Sequence, residues 1–212
     1  MKVIKPSIFI ESEINGNSIL TLIERAGRTC YKSEELITMD SAKEFIKKIL
    51  KSGHESVIEH FNVTVRVICD RGVTHEIVRH RIASYSQEST RYCNYSNEKF
   101  GNELTYIEPC YWDADNEEDK QKRGLWINTL IEIEKNYLKL LELGATPQEA
   151  RSILPNSLKT EIVMTMNLRE WRHFFKLRTS SVAHPQMREV AVMILKEFKE
   201  KIPVIFDEFI IE

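Results

Sequence analysis

Apolar and polar residues alternate with a period of two over residues 61–68, the pattern of a half-buried strand. Residues 158–166 read as another strand, and residues 3–10, apolar and β-branched around Pro6, as an opening one. Helical spacing recurs over 17–29 and 41–51, the second entered through Asp40 and Ser41 as N-cap residues. Asp70 stands where an N-cap would precede a short helix over 73–80. The longest helical pattern covers 117–143, with Leu130, Ile133, Tyr137, Leu140 and Leu141 on one face and Gly144 suited to a left-handed ending. Thr146, Pro147 and Glu149 make a capping box with proline at the first helical position. Further helices are expected over 168–178 and 185–201. Residues 84–100 are polar, aromatic and irregular and read as a long loop, a length at which loops are usually functional or disordered.

No repeat, low-complexity tract or Pro/Gly-rich linker interrupts these elements. The expected fold is therefore α/β, of the α+β type: one compact domain over residues 1–212, a central sheet flanked by helices. A chain of 212 residues with 42% hydrophobic content can bury a sizeable core. No stretch approaches the length of a membrane span, and the first residues lack an apolar leader. Cys30, Cys69, Cys93 and Cys110 form no CxxC pair, which fits free thiols in a reducing cytoplasm.

Charge narrows the function classes. Lys and Arg number 30 against 32 Asp and Glu, a formal charge of −2, unlike a surface built as a whole to grip nucleic acid. Lysines mix with acids in helices such as the one at 185–201, whereas arginines collect around 66–91 and 151–188. Arginine suits planar recognition of phosphate or carboxylate, so local anion sites are expected. The densest stretch is 78–92. Arg79, His80 and Arg81 lie among apolar Ile77, Val78, Ile82 and Ala83, as if partly inserted into the protein, with Arg79 and Arg81 on different faces. Ser84, Ser86, Ser89 and Thr90 add short hydroxyls, and Arg91 another guanidinium, the ingredients of a phosphate cradle. A plain surface loop with incidental Arg–Glu pairs would carry the same residues.

Arg79, His80 and Arg81, then seven residues, then Ser89, resembles the RHR-x7-S signature of the flavin-dependent thymidylate synthases. Ser84, Arg91 and Tyr92 resemble that family's longer pattern, and Gly53, His54 and Glu55 its GHE segment. Residues 150–155 resemble its ARxxLP segment, and 167–178 its NxRxxxxFxxLR helix. The resembling blocks run in order from about residue 24 to 200.

The resemblance implies an enzyme that methylates dUMP with methylene-tetrahydrofolate and reduces the product through FAD charged by NADPH. It implies FAD contacts at Ser56, Glu59, Arg79, His80, Arg81, Gln87, Asn167, Arg169 and His173. It implies dUMP contacts at Glu76, Arg79, Gln87, Glu88, Ser89, Thr90, Arg91, Arg151 and Arg178, the last assisting ionisation of uracil N3. It also implies a homotetramer with sites shared between subunits. Many relatives read Asn-Glu-Gln-Ser-Gly-Arg where this chain has residues 86–91, so Gln87 and Glu88 are in swapped order and Thr90 replaces glycine.

Other chemistries are weaker. Pro109 and Cys110 resemble the Pro-Cys dipeptide of the unrelated folate-only thymidylate synthases, but Tyr111 and Trp112 beside them suggest packing. Ser89 has no sequence-adjacent His or Asp that would mark a triad. His54, His60, His75 and His80 match no metal motif, so no metal is expected. The rival from another class is an RNA- or nucleotide-binding module, with Tyr85, Tyr92 and Tyr95 available for base stacking.

Overall fold

A computed structural model describes residues 1–211. In chain order the main elements are β1 (Lys2–Ile4), β2 (Ser7–Ile10), α1 (Gly16–Thr29), α2 (Ser41–Lys51), β3 (Asn62–Asp70) and α3 (Arg71–Ile77). There follow β4 (Ser84–Gln87), β5 (Thr105–Ile107), α4 (Glu117–Glu142), α5 (Pro147–Ala150), β6 (Lys159–Asn167), α6 (Leu168–Arg178), α7 (Pro185–Lys201) and α8 (Pro203–Phe206). A 3-10 turn, Glu55–His60, precedes β3. One sheet is ordered β2-β3-β6-β4, and a two-stranded sheet pairs β1 with β5. The α/β reading holds.

Two expectations fail locally. The strand expected over 3–10 is two strands in different sheets, because Pro6 between them has no N–H for a ladder. The segment 84–100 opens with β4, an edge strand whose polar side chains hid its pairing.

The chain divides into two compact units. Met1–Ser7, Ile68–Ile77 and Ser86–Ile162 form unit 1. Here β1 and β5 run parallel with Val3 opposite Tyr106, and Tyr106 also bridges to Leu158. The helix α4 buries Leu130 and Tyr137 against Tyr95, Leu104, Tyr106 and Leu158, and its partly buried Ile133, Leu140 and Leu141 extend the same face. It ends at Gly144, whose φ of +91° a side chain would strain. Asp70 accepts the Val73 N–H at 2.7 Å, the expected cap of α3, and the Thr146–Glu149 capping box is formed.

Ile8–Val67, Val78–Tyr85 and the chain from Val163 onward form unit 2. Its centre is aromatic: Trp171, Phe174 and Phe175 of α6 pack with Phe198 and Phe206, all fully buried. The Trp171 indole donates to the Val63 carbonyl at 3.1 Å, tying α6 to β3. α1 and α2 meet at Gly27, where a Cβ would lie 2.7 Å from the Phe45 ring. Asn167 caps α6 by accepting the Glu170 N–H at 2.8 Å.

Candidate active site

In unit 1, the residues expected at a phosphate leave the end of β4. The Gln87 amide donates to Thr74 Oγ1 at 3.0 Å and reaches Thr160 Oγ1 at 3.4 Å. At Glu88 the backbone N–H binds the Glu161 carbonyl at 2.8 Å. Its carboxylate accepts from Tyr95 Oη at 2.7 Å and from Lys159 Nζ at 2.9 Å, and Lys159 also holds Glu161 at 2.7 Å. Burial works against the Lys159 charge, but Glu161 and Glu88 outweigh it and its pKa is raised. Glu88, expected at the nucleotide, thus has both carboxylate oxygens committed to structural partners.

The chain turns at Ser89, whose carbonyl accepts the N–H groups of Tyr92 and Cys93 at 3.1 and 2.9 Å. Ser89 Oγ accepts the Arg91 N–H at 3.3 Å, and buried Thr90 receives Arg151 Nη1 at 3.5 Å. Arg91 is exposed, with Nε on Gln148 Oε1 at 3.0 Å. The result is a hydroxyl-bearing turn flanked by two exposed guanidiniums, Arg91 and Arg151. Glu76 is half-buried on α3 in the same unit.

In unit 2, an open cleft of about 810 Å³ is lined by Glu59, Ile82, Asn167, Arg169, His173 and Phe209, among others. Arg169, His173 and Lys176 recur at helical spacing, so α6 presents them on one face. Arg169 pairs with Glu59 at 2.6 Å, while Ser56 lies exposed on the same 3-10 turn as Glu59. Beneath the cleft Arg172 is buried, with Nη1 on the Ile205 carbonyl at 2.5 Å and further contacts to Glu55 and Glu208.

The cationic segment is less inserted than expected. Ile77 and His80 are buried, but Arg79, Arg81, Val78 (42% exposed) and Ile82 (68% exposed) face outward. His80 lies against Phe174, with ring centroids 4.9 Å apart. Its Nε2 accepts Arg178 Nε–H at 3.0 Å, and its Nδ1 lies 3.4 Å from Glu170 Oε1. Tyr85 Oη donates to the His80 carbonyl at 2.6 Å, and burial, with Glu170 adding, pushes that phenol up to about 12. Burial also raises the Glu170 carboxyl. Sequence reasoning missed Glu170, because a Glu three residues after Asn167 looks like an ordinary helix start. It missed Lys159 too, since only tertiary pairing sets it on Glu88, and it read Tyr95 as available for base stacking, whereas Tyr95 is buried with its hydroxyl on the same carboxylate.

His80, Glu170 and His173 bring potential ligand atoms within 4.8 Å of one another. The Arg178 guanidinium already occupies His80 Nε2, and a cation there would face that positive charge, which weighs against a metal at the trio.

A family model described as "Thymidylate synthase complementing protein" matches residues 16–204. A flavin-dependent thymidylate synthase of Pyrococcus horikoshii is 41% identical over 175 residues, covering 81% of this chain and 70% of that one. One from Corynebacterium diphtheriae is 34% identical over 206 residues, covering 89% and 78%. The chain belongs to the flavin-dependent thymidylate synthase family. Its fold is also that of a solved UMP/dUMP methylase, PolB from Streptomyces cacaoi bound with 5-Br dUMP. The TM-score is 0.81 at 18% identity, over 98% of this chain and 96% of that one.

For a member of a flavin-dependent family, the unit 2 cleft is where the fit of a flavin is tested. Its volume lies within the ~300–1,000 Å³ of small-molecule sites. Arg169, His173 and Lys176 supply donors for a diphosphate, and Ile82 and Phe209 supply apolar surface for a ring system. Four acids also line the cleft: Glu59 is paired with Arg169, Glu55 and Glu208 share Arg172, and Glu170 lies 3.4 Å from His80, which leaves Lys176 and His173 as the cations and donors not neutralised by these pairs. The residues present fit the group.

Proposed function

We propose that this protein converts dUMP to dTMP, taking the one-carbon unit from methylene-tetrahydrofolate and electrons from NADPH through bound FAD, and releasing tetrahydrofolate. The observation that carries the reading is a family match over residues 16–204 with the Arg79-His80-Arg81 to Ser89 segment intact. Bound flavin supplies the hydride that completes the methyl group.

The chain's own residues supply binding, orientation and electrostatics. Ser89, Arg91, Arg151 and the backbone N–H groups of the turn hold the phosphate; two exposed guanidiniums beside a hydroxyl turn support this. Gln87 and Thr90 shape that turn, Glu76 meets the sugar, and Glu88 acts by anchoring the loop through Tyr95 and Lys159. Asn167, Arg169 and His173 on α6, with Ser56 and Glu59 on the preceding turn, hold FAD, and Arg79 and Arg81 reach outward to the flavin and nucleotide.

Arg178 meets the uracil. Carbon 5 of that ring is a poor nucleophile, and negative charge at N3 pushes electron density toward it. A guanidinium stays protonated and stabilises that charge as it develops. The same reading includes a homotetramer with shared sites in the cytoplasm. Exposed Ile82, Leu177 and Val182 in unit 2 support subunit contacts, and among the described residues no helix is long and apolar enough to cross a membrane.

An absorbance spectrum and a product analysis test the proposal together. The purified protein should be yellow and bleach with NADPH, and with dUMP and methylene-tetrahydrofolate it should yield dTMP and tetrahydrofolate. Dihydrofolate as the stoichiometric folate product, or a colourless protein that takes up no flavin, would overturn it.

A further inference from the structure

We propose that Thr74 is a positioning residue for Gln87, holding its amide so that Oε1 is offered to the sugar hydroxyl of the nucleotide. The inference rests on the reading of dUMP as substrate and deepens it. Thr74 is 1% exposed on α3, and its hydroxyl donates to the Arg71 carbonyl at 2.8 Å. A hydroxyl has one proton, so toward any other group Thr74 Oγ1 can only accept. Gln87 Nε2 lies 3.0 Å from it and donates, and the same nitrogen reaches Oγ1 of fully buried Thr160 at 3.4 Å. An amide turned the other way would set its oxygen lone pairs against those of Thr74. The amide therefore has one orientation, with nitrogen on the two threonines and oxygen turned from them.

Strand pairing explains why Gln87, and not its neighbour, has this place. β4 and β6 are adjacent in the sheet, and the Glu88 N–H on the Glu161 carbonyl continues the pairing past the end of β4. Side chains alternate across such a pair. Gln87 meets Thr160 on the side of α3, whereas Glu88 meets Lys159, which also holds Glu161, on the other. The swapped order of Gln87 and Glu88 thus has a physical sense. An acid at 87 would bring Thr74 and Thr160 only acceptor oxygens, whereas the amide brings them a donor.

The consequence falls on Oε1. Both hydrogen bonds of the Gln87 side chain use Nε2, and among the described residues none reaches Oε1. Gln87 is half-buried, and an acceptor in such a place needs a donor. Beyond its phosphate, dUMP has two donors, uracil N3–H and the 3′-hydroxyl, and the first is given up as N3 takes on negative charge. Position selects the same group. Ser89, read as holding the phosphate, lies two residues on, about 6–7 Å along an extended chain, and a single sugar joins the 5′-phosphate to the 3′-hydroxyl.

The test titrates dUMP and its 3′-deoxy analogue, 2′,3′-dideoxyuridine monophosphate, into the FAD-loaded full-length protein in a calorimeter. Thr74→Val and Thr74→Ala remove the hydroxyl, Thr74→Ser keeps it, and Gln87→Leu removes the amide with α3 untouched. One neutral hydrogen bond corresponds to about 3- to 10-fold in affinity, so parent and Thr74→Ser should prefer dUMP by that factor. Thr74→Val, Thr74→Ala and Gln87→Leu should each bring the preference below about twofold, with the affinity for the 3′-deoxy analogue near the parent value. Adding Thr74→Val to Gln87→Leu should change neither affinity further, because Thr74 acts only through Gln87. Equal losses for both nucleotides in the Thr74 variants, or losses that add to those of Gln87→Leu, would make Thr74 merely structural and overturn the proposal. A parent that binds both nucleotides equally would also overturn it. The substrate reading fails separately: a parent that binds neither nucleotide removes that reading and the sugar contact together, whereas a dUMP preference unmoved by Thr74→Val removes the positioning role alone.

Discussion

Replacing Arg172 by leucine tests how the end of the chain is held onto α6. The guanidinium is buried, and its Nη1 donates to the Ile205 carbonyl at 2.5 Å in a fully buried stretch. Its other nitrogens meet Glu55 at 3.1 and 3.2 Å and also Glu208, and the group lies 5.4 Å from the Phe209 ring centre. Leucine keeps apolar bulk and removes every donor. A buried carbonyl that loses its donor costs about 1–3 kcal/mol. The Glu55 pair adds up to about 1 kcal/mol, because that carboxylate is 29% exposed and can hydrate once released. Glu208, 60% exposed, adds little. The total is about 1–4 kcal/mol, less than the ~3–5 expected when one partner of a fully buried pair is removed. At ~3 kcal/mol the Tm of a chain this size falls by about 6–12 °C. Scanning calorimetry and urea unfolding of the ligand-free protein measure it, with Glu208→Gln as the control, expected within about 0.5 kcal/mol of the parent. An Arg172→Leu protein melting within 2 °C of the parent (about 0.5–1 kcal/mol) would refute the reasoning. So would a Glu208→Gln loss of equal size, which would put the energy in an exposed ion pair.

Two further outcomes bear on the site. Arg91→Ala should weaken dUMP binding about 10- to 150-fold, the loss of one charge-assisted hydrogen bond of ~1.5–3 kcal/mol, and leave deoxyuridine binding nearly unchanged by calorimetric titration; equal losses for both ligands would give Arg91 a structural part. Arg178→Lys keeps the charge but has one nitrogen for both His80 and the substrate, so stopped-flow reoxidation with dUMP and methylene-tetrahydrofolate should slow at least tenfold, about 1.4 kcal/mol of barrier, with flavin still bound and still bleached by NADPH. Parent-rate reoxidation would rule that role out.

Local rules carried a good part of the fold. The helices over 41–51, 168–178 and 185–201 have the bounds their apolar spacing predicts, and Asp70, Gly144 and the Thr146–Glu149 box end or start helices as their chemistry requires. Such features depend on residues three or four apart, which a sequence displays directly. Asp40 shows the limit even here: it occupies the N-cap position of α2 with no side-chain capping bond, and Ser41 Oγ instead accepts the Thr38 N–H at 2.9 Å.

The misses share one cause, pairing between residues distant in the chain. The polar strand β4 belongs to the sheet beside β6, and β1 and β5 make a ladder from segments about a hundred residues apart. No periodicity marks such partners, because an edge strand of polar residues differs from a loop only in what it is hydrogen-bonded to. The candidate site divides the same way. Its residue types and the spacing from Arg79 to Ser89 are properties of the sequence alone, and they were enough to point to the family. Which of those side chains are committed elsewhere was decided by tertiary structure. Glu88 is turned to Tyr95 and Lys159, and His80 is buried between Glu170 and Arg178. The physical reason is that a side chain's protonation, direction and availability depend on the groups within a few ångströms of it, and for a buried polar residue those groups come mostly from other parts of the chain.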